Sequence, residues 1–193
     1  MKNFSLKTYF KNQYLKESII NEINIPKDTW TTIPSSELQD YEEEIFKLIS
    51  TAYAPIGGHP NFTSPDSITG KESDAKYVVI DLDNDDEIDA LSAYKQKGFG
   101  NKFIATGHDG TKPAKSRVVN YRADLLKQPG YYIEVSGAWI DILSAKGVEP
   151  VDDEELVRQV LKGKDIEWLG NGQYKRNIAG KLYTKTLMGK PTV

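Results

Sequence analysis

From Lys102 to Val148 the chain reads as strand, glycine-bearing loop, helix, strand and second short helix, and no other stretch restricts the fold as much. The pieces are Lys102–Gly107, the loop His108–Lys115, a helix over Ser116–Lys127, a strand over Tyr131–Val135 and a helix from Ala138 to Lys146 closed by Gly147. A loop that leaves a strand and enters a helix leaves N–H groups without intrahelical partners, aimed at whatever lies in front of them. Gly107 and Gly110 permit tight turns and close approach of a ligand, Pro113 suits a first helical turn, and Lys112 and Lys115 add positive charge. The pattern predicts an anion site with a phosphate-bearing occupant; the alternative is ordinary turn punctuation. It is neither the P-loop nor the three-glycine dinucleotide fingerprint, so spacing alone does not name the ligand.

The rest of the chain narrows the setting. At 193 residues it suits one domain with an N-terminal arm, divided as 1–26 and 27–193. A net charge of -3 gives no general attraction to nucleic acid or to an anionic membrane. There is no apolar run of membrane-spanning length, so a cytoplasmic protein is expected. Zero cysteines exclude disulfides and thiolate chemistry. With only two histidines, His59 and His108, each beside glycine, no metal centre is expected.

In chain order, residues 1–25 read as a basic amphipathic helix ended by Pro26. Trp30–Ile33 suits a short strand, and Pro34-Ser35-Ser36 opens a helix whose Leu38, Tyr41, Ile45, Leu48 and Ile49 form one face. The loop Tyr53–Phe62 carries His59, a candidate for substrate contact or proton transfer and equally a structural histidine. Tyr77–Leu82 and Asp89–Lys95 are strands across an acidic turn. That turn departs from an EF-hand because Asp86 stands where glycine is needed and Ser92 where the bidentate carboxylate should be. Asp81 and Asp83 are instead candidate general bases. A helix from Asp152 and an antiparallel hairpin from Ile166 to Pro191 complete the chain.

This order resembles the GNAT fold of acyl-CoA N-acyltransferases over roughly Trp30–Pro191, with the best match at Ala138–Val148, similar to that family's fourth helix. The resemblance implies an α+β fold: a mixed, mostly antiparallel sheet flanked by helices, with an N-terminal helical arm. It further implies acetyl-CoA as acyl donor and an amine acceptor. The donor would be held by the strand residues Ile104, Ala105 and Thr106 and by the loop residues Gly107, His108, Asp109, Gly110, Thr111, Lys112 and Ala114, with Lys115 as charge partner. Glu134, Asp81, Asp83 or His59 would take the amine proton, and Tyr132 or Tyr183 would protonate the thiolate. The chain also resembles GNAT-like proteins of large tailed phages through Ile56-Gly57-Gly58-His59, Asp109-Gly110-Thr111-Lys112, Glu134-Val135-Ser136-Gly137 and Gly189-Lys190-Pro191. Leu15-Lys16-Glu17 before Ser18 is similar to a phage prohead-protease site, which would make the arm a cleavable leader and a phage head or host protein a partner. Two departures stand out: the family's usual glycine loop is absent, and Leu143 replaces the tyrosine that commonly serves as general acid. A catalytically silent interaction module is therefore the rival expectation.

Overall fold

The computed structural model describes residues 25–85, 87–162, 164–178 and 180–192. The amphipathic helix and cleavage pattern expected in residues 1–24 lie outside them. Eight strands form one sheet: β1 (Thr31–Thr32), β2 (Lys76–Ile80), β3 (Ala90–Lys97), β4 (Gly100–His108), β5 (Tyr131–Val135), β6 (Ile166–Gly170), β7 (Gln173–Ile178) and β8 (Lys181–Lys190). Their order across the sheet is β1-β2-β3-β4-β5-β8-β7-β6. Every neighbouring pair is antiparallel except β4 and β5. The α+β class with a mostly antiparallel sheet is as the sequence predicts. The expected terminal hairpin is instead three strands, the last of which, β8, enters the sheet between β5 and β7.

Strand alternation assigns the helices to faces. On one face Tyr77, Val79, Leu91, Ala93 and Ala105 pack beneath α1 (Leu38–Tyr53) and α2 (Asp66–Thr69). The same face continues through Tyr132, Tyr174 and Leu187 under α5 (Glu154–Val160), through Val157. The opposite face, with Val78, Tyr94, Phe103, Ile133, Val135 and Met188, is covered by α3 (Lys112–Leu126) and α4 (Ala138–Ser144). Burying Leu143 to 1% exposure there is worth about 2 kcal/mol.

Two boundaries differ from the sequence reading and both concern the opening stretch. Helix α3 begins at Lys112 rather than Ser116, because Thr111 caps it: its Oγ1 accepts from Ala114 N–H at 3.3 Å. Strand β4 is longer at both ends than Lys102–Gly107, because Gly100 and Asn101 pair with Lys97 and Gln96, and His108 with Ala90. Gly107 is thus a ladder residue. A Cβ there would meet Leu91 Cγ at 2.9 Å and the α1 backbone at Ile49 N and Leu48 C, both 3.0 Å, so this glycine admits the helix.

Candidate functional site

The parallel pair β4/β5 is held only at Asn101↔Tyr131 and Lys102↔Tyr132. Beyond that point β4 stays paired to β3 as far as His108↔Ala90, while β5 stays paired to β8 as far as Val135↔Thr186. Each strand is retained by its outer neighbour, so the two part, and α3 starts beside the open end of β4. A bulge lies in the same segment: Ala93 pairs with Ala105 and Tyr94 with Phe103, leaving Ile104 without a β3 partner.

Side chains take up the carbonyls that the bulge releases. His59 Nε2 lies 3.0 Å from Ile104 O, and its Nδ1 accepts from Asn61 N–H at 3.1 Å. These partners fix the tautomer with the proton on Nε2 and commit both ring nitrogens. Burial holds the His59 pKa below 6.5, so the ring is neutral. Arg122, 3% exposed, donates from Nη2 to Ala105 O at 3.0 Å. Its guanidinium carbon stands 4.9 Å from the Phe103 ring centroid and 6.0 Å from that of Trp139. Tyr53, from α1 on the other face, lies beside it. Arg122 from α3 and Tyr53 from α1 thus meet beside the bulge of β4. Arg122 Nε is buried with no hydrogen-bond partner among the described residues.

The amides near the loop divide into occupied and free. Asp109 N–H donates to Asp89 O at 2.9 Å, Thr111 N–H to Asp109 Oδ1 at 2.7 Å, Ala114 N–H to Thr111 Oγ1 at 3.3 Å and Lys115 N–H to Thr111 O at 3.2 Å. The Asp109 bond makes Ala90 and His108 a non-hydrogen-bonded pair, so by alternation Thr106 and His108 direct their N–H groups away from β3 into the parting. Among the described residues no hydrogen bond engages the Gly110 or Lys112 amide. Of the segment expected to hold the donor, Ile104–Lys112 and Ala114 with Lys115 as charge partner, the free amides are those of Thr106, His108, Gly110 and Lys112, flanked by the exposed Lys112 and Lys115 side chains. Burial, and next the charge of Lys115, lowers the His108 pKa.

The expected acid–base residues are dispersed. Asp81 and Asp83 stand at the end of β2, two strands from the parting. Asp81 is fully buried and caps its own turn, its Oδ1 accepting from Asp83 and Asn84 N–H at 3.0 and 2.6 Å. Carboxylate oxygens of Asp81, Asp83 and Asp89 lie within 4.8 Å of one another, and burial raises the Asp89 pKa to about 6. Tyr132 sits at the closed end of the parting, 2% exposed, with its pKa raised by burial. Glu134 alone of the three carboxylates belongs to a parted strand. Its Oε1 accepts from Arg176 Nη1 at 2.6 Å, and its Oε2 lies 3.9 Å from both Lys102 Nζ and Lys164 Nζ. Burial lowers the Lys102 pKa to about 8 and also lowers that of Lys164. Lys102, Lys164, Arg176 and Arg122 escape sequence reasoning, because a lysine or arginine at an alternating strand or helix position reads as solvated surface.

No family model matches the chain, and no curated protein matches it in sequence. Solved structures that it resembles include acetyltransferases. One assigned as a phosphinothricin N-acetyltransferase is 10% identical, with a TM-score of 0.48 over 86% of this chain and 98% of its own. A spermidine N-acetyltransferase chimera from Vibrio cholerae and a human counterpart is 12% identical, with a TM-score of 0.45 over 84% and 94%. A protein assigned as a GNAT-family acetyltransferase from Bacteroides thetaiotaomicron is 14% identical, with a TM-score of 0.43 over 86% and 88%. At these values the likeness carries nothing about substrate or site. Among the described residues no helix is long and apolar enough to cross a membrane.

Proposed function

We propose that the protein is an acyl-CoA-dependent N-acyltransferase that moves an acetyl group to an amine. The observation that supports this reading above others is the parting of β4 and β5 with a helix N-terminus at its mouth. It offers an extended slot for a pantetheine-like chain and, at its end, unpaired amides with two lysines for a diphosphate. The Gly110 and Lys112 amides with Lys112 and Lys115 hold the phosphates, and the Thr106 and His108 amides line the arm of the donor. The bound thioester supplies the activated acyl group. The acceptor nitrogen adds to its carbonyl carbon, the C–S bond breaks, and the thiolate leaves with CoA. Positioning supplies the main rate advantage. Glu134 is the carboxylate on a parted strand and takes the amine proton, directly or through water. With Leu143 in place of the usual tyrosine, the thiolate is protonated by water or by Tyr183, which is 40% exposed.

A second reading, a catalytically silent module serving a phage head or host protein, is favoured by one observation: Arg122 and His59 occupy the bulge of β4. A thermal-shift titration separates the two. A ligand that binds only the folded state raises the melting temperature once its concentration exceeds its dissociation constant. Acetyl-CoA and CoA should both do so, and an unmoved melting curve at millimolar acetyl-CoA would leave the silent module standing. Mass spectrometry of residues 1–17 in assembled particles tests the leader: an intact Met1 rules out processing after Glu17.

A further inference from the structure

The cluster around Glu134 is unbalanced. Lys102, Lys164 and Arg176 converge on one carboxylate, leaving two positive charges in excess. Glu134 is only 8% exposed, whereas the side chains of Lys102, Lys164 and Arg176 retain 24%, 32% and 19%. Arg176 saturates Oε1, but the two lysines stand at 3.9 Å, too far to hydrogen-bond Oε2. Neither ammonium donates to a carboxylate or carbonyl among the described residues. Two further buried polar atoms here, Glu134 Oε2 and the hydroxyl of Tyr174, which is 0% exposed, make no well-formed hydrogen bond, though the hydroxyl interacts with the Glu134 carboxylate. A network that only stabilised a fold would match its charges, since an unmatched buried cation costs free energy that a good ion pair recovers. Lys102 neighbours Tyr132 at the closed end of the parting, and the cluster lies on the α1/α5 face, opposite α3.

We infer that Lys102, Lys164 and Arg176 form a seat for a carboxylate of the acceptor, so that the acceptor is an amino-carboxylate rather than a polyamine. This deepens the transfer reading and rests on it for the ligand's role, though not for the seat. The two ammonium groups supply charge-assisted donors to the incoming carboxylate. Glu134 Oε2, which the lysines approach only to 3.9 Å and which shares its surroundings with the Tyr174 hydroxyl, is offered to the ligand's ammonium end. An all-cationic amine meets two surplus positive charges and is rejected.

Isothermal titration of the full-length protein with L-glutamate, glutarate, inorganic phosphate and putrescine, with and without CoA, tests the seat. Glutamate and glutarate should bind and putrescine should not. Lys164→Met, half-buried in the connection between α5 and β6 and outside every strand, should weaken both about tenfold or more, as expected for loss of one hydrogen-bonded charge. Lys102→Met should do the same, with circular dichroism confirming that each variant is folded. Putrescine binding, phosphate binding tighter than either carboxylate, carboxylate binding unchanged in K164M, or no binding of any probe overturns the inference. A melting-temperature shift with CoA in that last case would show that the seat has failed while the donor site stands.

Discussion

Replacing Lys102 by methionine should make the protein more stable, the reverse of what breaking an ordinary salt bridge does. Burial depresses the Lys102 pKa from 10.5 to about 8 even though Glu134 stands nearby. A displacement of that size corresponds to about 3 kcal/mol, an upper figure for an ammonium that keeps some contact with water. The sign follows from proton binding. Below about pH 8 both states carry the proton and the native state bears the whole cost. Between about 8 and 10.5 the native state releases the proton while the unfolded chain keeps it, so stability climbs with pH. Urea unfolding near pH 7 and again near pH 9.5 should show the wild-type midpoint rising, with a contribution of the same sign from Lys164. K102M should start higher at neutral pH and rise less. A lower midpoint for K102M at neutral pH would refute the reasoning, because the lysine would then be holding the fold rather than being held by it.

Gly107→Ala should destabilise by about 1–3 kcal/mol, since its Cβ meets the α1 backbone at 3.0 Å, and a thermal melt within error of wild type would contradict that packing. His59→Ala should cost about 1–3 kcal/mol by stranding the Ile104 carbonyl. Because the native His59 pKa lies below 6.5, its contribution should be lost as pH falls below 6.5, where the unfolded chain takes up the proton first; an unfolding profile in which H59A and wild type lose stability in parallel there would count against it. Exchanging Lys112 and Lys115 together for glutamate should weaken CoA binding about tenfold or more and flatten its salt dependence, measured by titration; unchanged affinity would place the diphosphate elsewhere.

The opening stretch shows where local reading reaches and where it stops. Its strand, loop, helix and strand are legible because alternation and turn chemistry act between residues close in sequence, as in Tyr131–Val135, whereas the Thr111 cap that starts α3 at Lys112 emerges only in the structure. The start of β4 lies beyond the sequence reading because Gly100 and Asn101 are glycine and polar, and only pairing with Lys97 and Gln96 makes them a strand. The same holds for Gly107, which reads as a flexible loop residue and proves to be the place where a helix presses on the sheet.

The strands β2 to β5, the helix between β4 and β5, the faces these elements bury and the positive charge at the entry to α3 follow from the sequence alone, because apolar period and turn chemistry depend on neighbours a few residues apart. The tertiary structure alone decided that β8 enters between β5 and β7, that β4 and β5 part, that Arg122 reaches the Ala105 carbonyl, and that Lys102, Glu134, Lys164 and Arg176 meet. The physical reason is that a period marks which side of a strand turns inward and leaves open which strand lies beside it. The charges of this site come from strands β4, β5 and β7 and a connection, and their meeting depends on that choice of neighbour.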